Sequence, residues 1–215
     1  MLKTLFNTLI VCLLSACSST ALVAIAVPKP TTVASELPSG NYTLDKSHAS
    51  ITFNVSHLGL SNYTMQFTNF DADLYFDAQA PEKSTLTATV YTDSIETNYP
   101  HANKKDFDAK LAFGSSWLNA KDFPTAVFKS KSITITGKNT GTVTGDLTFL
   151  GSTHPVTFNV TFNGGFNSKP FKGVAALGFS AEGELKRSQW GLETYLPAIG
   201  DDIRIQIECE FHKVG

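Results

Sequence analysis

The histidines are the first residues to test for chemistry, because imidazole is a common metal ligand and a common general base. The chain has five of them, at positions 48, 57, 101, 154 and 212. They form no H-x-H or H-E-x-x-H pattern, and no paired cysteines accompany them. A metal site would have to assemble from distant segments, so we predict no metal and no cofactor.

Nucleophilic catalysis also lacks its usual pattern. The chain has no G-x-S-x-G turn that would present a catalytic serine. The paired acids Asp201 and Asp202 follow Gly200, a position typical of a solvated turn. Cys209 stands alone outside the N-terminal segment, on an apolar face, which is typical of a small buried hydrophobe. We therefore expect no enzyme and no catalytic residues.

One histidine is conspicuous for its position in the stretch HASITFNVSHLGL. Read with the period of a strand, one face is apolar, and the next residue on that face is His57; the apolar residues are Ala49, Ile51, Phe53 and Val55. As a ligand contact, the imidazole would form one hydrogen bond to a polar head group. As a structural residue, it would bond to a backbone carbonyl or to Asp45. The sequence leaves both roles open.

Similar alternation covers most of the chain after Gly40. The candidate strands, separated by Gly, Asn, Pro or Ser, are residues 48–57, 65–76, 85–95, 126–130 with 133–136, 142–150, 156–162, 174–185 and 203–211. About eight such segments predict an all-β fold, an antiparallel sandwich or barrel. The apolar parity changes within 65–76, which predicts a β-bulge near residues 68–70.

Residues 101–112 break this alternation. Phe107 and Leu111 stand four positions apart among lysines and aspartates, a spacing that predicts a short amphipathic helix. A helix there can cross a barrel mouth or cover a gap in the sheet from outside, and the periodicity leaves both open.

The predicted inner faces combine bulky and small residues. Phenylalanine recurs on them, whereas Ala88, Gly145, Ala181 and Gly183 leave room opposite the rings. An eight-stranded barrel can be filled by its side chains or hold one ligand, and both remain open on pattern alone. The formal net charge of -2 is scattered, so we predict no nucleic-acid partner.

The N-terminus carries an export pattern. Lys3 precedes the apolar residues 5–14, and Leu14-Ser15-Ala16-Cys17 resembles the lipobox of bacterial lipoproteins. This implies a leader over residues 1–17, a lipid anchor on Cys17 and a periplasmic location at the membrane. The alternatives are cleavage after residue 26, giving a soluble periplasmic protein, or an uncleaved span over 5–27. Residues 18–40 are predicted to be a tether, and 41–215 the domain.

Several short motifs follow one another through the domain. They include Tyr42-x-x-Asp45-x-x-His48, Asp93-Ser94-Ile95-x-Thr97, Phe123-Pro124-x-Ala126-x-Phe128 and Gly145-Asp146-Leu147-Thr148-x-x-Gly151. In this order, over residues 42–212, they resemble the YceI-like family. The chain departs from the family pattern at Met65, where a glycine is common, at Lys105-Asp106, where an Arg-Asp pair is usual, and at His154.

The resemblance implies a lipocalin-like closed antiparallel β-barrel with an amphipathic cavity. It also implies a non-enzymatic envelope protein that binds or carries a long isoprenoid lipid, such as a quinone. We expect the ligand to contact Phe53, Val55, Phe67, Phe128, Phe158 and Phe179, with His57 at the polar end and Phe107 and Leu111 on a mobile lid. The alternative is a packed barrel that serves envelope stress or protein interaction, with incidental lipid. Whether the domain forms a homodimer stays open.

Overall fold

The computed structural model describes residues 28–170 and 172–215. The predicted leader, the lipidation of Cys17 and the cleavage after residue 26 lie outside the described residues. Within them the chain forms ten strands and one α-helix: β1 Gly40–His57, β2 Ser61–Phe67, β3 Phe70–Phe76, β4 Thr85–Tyr91, β5 Ile95–Glu96, α1 Phe107–Phe113, β6 Thr125–Ile135, β7 Thr140–Phe149, β8 Ser152–Phe166, β9 Ala176–Lys186 and β10 Ile199–Lys213. None of the described helices is long and apolar enough to cross a membrane.

The strands close into an antiparallel barrel, which confirms the predicted fold. The ring runs β1-β3-β4-β6-β7-β8-β9-β10 and returns to β1. β1 is long enough to change partners, pairing with β3 near its start and with β2 from Ile51 to His57. We call the end where β1 begins the lower end and the end where it finishes the upper end.

The predicted change of parity falls at the break between β2 and β3. Thr68 and Asn69 leave the ladder there, and the Thr68 N–H donates to the Ser94 carbonyl at 3.0 Å. Phe67 and Phe70, on either side of the break, both pack in apolar clusters of the barrel. Because Thr68 and Asn69 are out of register, the apolar residues of β2 and β3 face the same side, and the strand bends at this point.

The lower end is closed by apolar side chains. Leu177 and Phe211, paired across β9 and β10, are almost fully buried with Tyr42, whose hydroxyl donates to the Pro38 carbonyl at 2.6 Å. Leu37, within the stretch predicted as tether, is buried in the same cluster. The chain just before it is held as well, since Thr31 forms an isolated bridge with Gly165.

At two of the glycines that were expected to leave room opposite the rings, phenylalanine rings occupy that room. A Cβ added to Gly145 would lie 2.6 Å from the ring of Phe128, and one added to Gly183 would lie 2.7 Å from the ring of Phe158. Each ring packs over the glycine of the next strand, and the two rings meet edge to face at 5.4 Å. Of the two uses that the sequence left open for this room, filling by side chains is the one found at Gly145 and Gly183.

The helix begins at Phe107, later than the predicted start at residue 101, because Asp106 caps it. The Asp106 carboxylate accepts a hydrogen bond from the Ala109 N–H at 2.8 Å. Leu111 and Ala112 are buried against Val55 and Met65. Val55 and Met65 occupy inner-facing positions of their strands. α1 therefore covers the upper end of the barrel rather than a gap in its wall.

Candidate functional site

The barrel interior is lined by two facing apolar rows on β1 and β10. Residues directly opposite in an antiparallel ladder share a face. Phe53 is paired with Ile205, and the same face continues through the pairs Ile51–Ile207, Val55–Ile203 and Ala49–Cys209. Burial, with a smaller contribution from the neighbouring Glu208 carboxylate, raises the pKa of the Cys209 thiol to about 12. The thiol therefore stays protonated, as expected for a small hydrophobe.

The inward-facing side chains are more deeply buried at the two ends of the barrel than in its middle. Leu177 at the lower end and Leu111 at the upper end are 1% and 5% exposed. Between them, Phe53, Ile205 and Phe179 face the barrel axis yet keep accessible surface. An inward-facing side chain that stays accessible borders some unfilled space even where it also contacts its neighbours. From this accessibility we infer an apolar chamber in the middle of the barrel, between two covered ends.

The predicted ligand contacts divide among three apolar clusters. Phe53, Val55, Phe67, Phe107 and Leu111 lie in the cluster at the upper end, where the rings of Phe53 and Phe67 stack at 5.0 Å. Another cluster holds Phe128 and Phe158. Phe179 packs with the lower cluster, 6.1 Å from the ring of Phe211. They surround the chamber from several sides, and their contact with a ligand stays a prediction.

His57 lies at the rim rather than in the chamber. It is exposed at the end of β1, opposite Ser61 on β2 and Ile199 on β10. The structural alternative in which Asp45 holds this ring is wrong, since Asp45 pairs with His48 at 2.8 Å. A head-group role for His57 stays a prediction.

The helix that carries Phe107 and Leu111 is tied to the barrel at several points. The Leu118 N–H donates to the Leu111 carbonyl at 3.0 Å. The Asp108 carboxylate accepts from the Thr97 N–H at 3.1 Å and from the Thr97 hydroxyl. A lid made of α1 would have to break these bonds to open, and its mobility stays a prediction.

Two polar side chains at the upper end, His154 and Trp190, were not among the predicted ligand contacts. His154 stands on the inner face of β8, in line with Val156 and Phe158, and its ring meets the Trp190 indole edge-on at 5.0 Å. Trp190 is 4% exposed, and its indole nitrogen is buried without a hydrogen-bond partner among the described residues. The parity of His154 was readable once β8 was known to begin at Ser152 rather than 156.

Arg187 organises the loop beside them. Arg187 is 6% exposed and donates to four main-chain carbonyls. These are the carbonyls of Leu192, Thr194, Ile199 and Gly200. Burial lowers the pKa of Arg187, and the Asp201 carboxylate opposes that shift. One buried guanidinium thus fixes the upper loop between β9 and β10.

A cleft opens between this loop and the segment that follows α1. Its volume is about 320 Å³, and its walls are Trp190, Trp117, Phe123 and Leu150 together with polar residues that include Ser115, Ser116, Glu193 and Thr194. The Thr194 hydroxyl donates to the Ser116 carbonyl at 3.0 Å, which joins the two walls. The cleft brings solvent next to Trp190 at the upper end.

A second polar cluster lies on the outside of the lower part of the barrel. Asp45, His48 and Glu210 are close enough to share a cation, with ligand atoms within 4.8 Å of one another. The ammonium groups of Lys169 and Lys172 already lie 3.8 and 3.4 Å from Asp45, and Lys169 also pairs with Glu210. We assign this network a structural role, because it ties the loop after β8 to a bulge in β1.

Asp45 is the buried anion of this network. Burial would raise its pKa, but hydrogen bonds from His48 and the Ser47 N–H, with the charges of His212 and Lys172, outweigh that and hold the pKa below its usual range. A carboxylate with a lower pKa in the folded than in the unfolded state stabilises the fold above its unfolded pKa, about 3.9. That stabilisation is lost as pH falls further toward the folded pKa.

We expect Asp45→Asn to lower the free energy of unfolding by about 2 kcal/mol at neutral pH, since the buried anion that His48 and the two lysines contact is lost. The difference from the wild type should shrink below about pH 4. Urea denaturation of the wild type and the variant, at neutral pH and below about pH 4, measures this difference in the free energy of unfolding. Asp71→Asn is the control, because Asp71 and Lys46 form an exposed pair at 2.9 Å worth less than about 1 kcal/mol. Equal losses in the two variants would contradict the assignment.

Comparison with known proteins agrees with this architecture. A family model described as the YceI-like domain matches residues 42–211. A UPF0312 protein of Pseudomonas putida is 36% identical over 172 residues, which cover 79% of this chain and 85% of that protein.

Solved structures share the fold. A mutant of the Campylobacter jejuni YCEI protein superposes with a TM-score of 0.65 at 28% identity, covering 81% of this chain and 98% of the other. A polyisoprenoid binding domain from Saccharophagus degradans, implicated in plant cell wall breakdown, superposes with a TM-score of 0.55 at 12% identity, covering 80% of this chain and 98% of the other. The second likeness is one of fold.

Proposed function

Because the chain belongs to the family of YceI-like domains, we propose that it is a non-enzymatic binding protein or carrier of the bacterial envelope that holds a long isoprenoid lipid in its barrel. The observation that carries the proposal is the apolar chamber: inward-facing side chains such as Phe53 and Ile205 keep accessible surface between two covered ends. A structural neighbour described as a polyisoprenoid binding domain supports the ligand class.

An isoprenoid tail suits such a chamber physically. The tail has no polar atoms, and burying each of its carbon units contributes about 0.8 kcal/mol before the costs of ordering are subtracted. The rows of β1 and β10 offer branched aliphatic and aromatic surface with no charged group between them. The affinity would therefore depend on the length of tail that is buried. The few polar groups at the upper end would set the orientation of the lipid.

The upper rim supplies an entrance for a lipid. Leu58, Leu60, Phe113 and Tyr195 are all exposed there. Tyr195 also packs against Trp117 beside the cleft, with ring centroids 6.1 Å apart. An exposed apolar group of this kind can mark a surface that meets an apolar partner. Passage of a lipid between membrane and chamber over this rim would keep its tail out of water.

The envelope location is part of the proposal and is supported by the export pattern of residues 1–27. Anchoring through Cys17 would keep the domain at the membrane that supplies its ligand. Cleavage after residue 26 would instead release a soluble periplasmic carrier.

The test is a titration of the delipidated protein with isoprenoid benzoquinones of increasing tail length. We expect affinity to rise severalfold with each added isoprene unit until the chamber is full, and the tail-free quinone to bind weakly or not at all. Affinity that does not depend on the tail would contradict the proposal. Failure to bind any of these lipids, with capture of a protein partner, would favour the packed-barrel alternative.

A further inference from the structure

The indole of Trp190 presents an unsatisfied donor in an otherwise well-satisfied protein. It is buried, its nitrogen has no hydrogen-bond partner among the described residues, and no other buried side-chain nitrogen or oxygen there shares this condition. An indole N–H can only donate. Buried donors without an acceptor are rare in folded proteins, and each calls for an explanation such as a ligand or an ordered water.

The Trp190 side chain lies between the chamber and the outside. On one side the indole packs with Phe128 and Val156, both on inner-facing positions of the barrel. On the other side it forms a wall of the cleft at the upper end. His154 lies beside it on the inner face, and the described side-chain hydrogen bonds do not involve His154. A lipid with its tail in the chamber would bring its head to this boundary.

The loop that carries Trp190 is built to hold it in place. Trp190 ends a 3-10 turn that begins at Arg187 and is followed by Gly191, whose positive φ of 78° ends the turn. The Ser188 N–H and hydroxyl both donate to the Asp201 carboxylate, at 2.9 and 2.8 Å. A donor fixed in this way loses little entropy when it meets its acceptor.

The charges around the cleft restrict the acceptor. Among the described residues that line it, Glu193 is the one charged side chain, and no lysine or arginine is present. The nearby Arg187 already donates to main-chain carbonyls. A phosphate would face a carboxylate without a free cation, whereas a carbonyl oxygen needs only a neutral donor.

We propose that Trp190 is the head-group donor of the barrel, that its Nε1–H binds a carbonyl oxygen of an isoprenoid quinone, and that His154 borders the same subsite. This inference rests on the proposed function. It distinguishes the quinone from a prenyl phosphate and from an all-hydrocarbon chain of the same length. It also places the polar end of the ligand inside the rim, deeper than His57.

The test compares three ligands on the full-length protein and two variants. The ligands are a long-tailed isoprenoid benzoquinone, a prenyl phosphate and a hydrocarbon polyprene of matched tail length. We expect Trp190→Phe to weaken binding of the quinone about tenfold and to change binding of the hydrocarbon less than about twofold. Tyr75→Phe, which removes a hydroxyl donor from the exposed outer face of β3, should leave both affinities within about twofold.

Equal weakening of quinone and hydrocarbon by Trp190→Phe, or no weakening at all, would overturn the inference and leave the proposed function standing. Tighter binding of the prenyl phosphate than of the quinone would overturn it as well. A wild-type protein that binds none of the three lipids would overturn both the inference and the proposed function.

A second measurement keeps the test valid if Trp190→Phe does not fold. The chain has two tryptophans, so the indole N–H resonances of the wild-type protein can be assigned with Trp117→Phe. The Trp190 resonance should move downfield when the quinone binds and change little with the hydrocarbon. A resonance that responds equally to both ligands would contradict a direct hydrogen bond.

Discussion

Replacing Phe53 by aspartate is expected to abolish retention of an isoprenoid lipid by the folded protein. Phe53 lies in the chamber between Met65 on β2 and Ile205 on β10. A carboxylate there is hydrated while the chamber holds water, but an apolar tail would strip that water away. Desolvating an unpaired carboxylate costs several kcal/mol, so the affinity should fall by more than about a hundredfold.

The matched control is Asn54→Asp, which adds the same charge on the next residue of β1. Asn54 points away from the chamber and is opposite Thr64 and Arg204. We expect this variant to bind the quinone like the wild type. The measurement is a quinone titration of both variants after circular dichroism has shown that each is folded. A folded Phe53→Asp protein that retained lipid as well as the wild type would show that Phe53 does not line the site.

The second large effect is expected at Arg187. Arg187→Met preserves much of the side-chain volume but removes the N–H groups that satisfy four main-chain carbonyls in the upper loop. Leaving several buried acceptors unpaired should lower the free energy of unfolding by about 3–5 kcal/mol. The loop also carries Trp190, so we expect quinone affinity to fall with the stability of the loop.

Arg204→Met is the control for this change. Arg204 lies on the outer face of β10 and pairs with Glu184 at 3.2 Å, with both side chains more than half exposed. Its loss should cost less than about 1 kcal/mol. Urea denaturation of the two variants measures whether the buried Arg187 contributes more to stability than the exposed Arg204. If both arginines proved equally dispensable, the buried guanidinium would not be what fixes the loop.

The strand pattern was largely readable from the sequence because a barrel wall imposes a strict period of two. The run at 85–95 is the instructive exception, since it ends as β4 at Tyr91 and resumes as the short β5. Between them Ser94 accepts a hydrogen bond from the Asn69 N–H at 3.1 Å and donates to the Tyr91 carbonyl. A side chain that bonds to distant backbone in this way leaves no periodic signal.

The candidate site was readable only in part. Period and parity placed Phe53 and Val55 on the inner face, because they depend on β1 alone. The filling of Gly145 and Gly183 depends on which strand lies beside which, and that adjacency is a property of the whole barrel. The burial of Arg187 depends on a loop held by carbonyls, and main-chain carbonyls carry no residue identity for a sequence to show.

Mass spectrometry of the protein purified from its native envelope tests the central claim most directly. It is recorded first intact under native conditions and then after solvent extraction. The account predicts a stoichiometric apolar adduct, removed by the solvent, whose mass variants differ by isoprene units. A protein that carries no adduct, and that remains ligand-free after incubation with isoprenoid quinones and prenyl lipids, would contradict it.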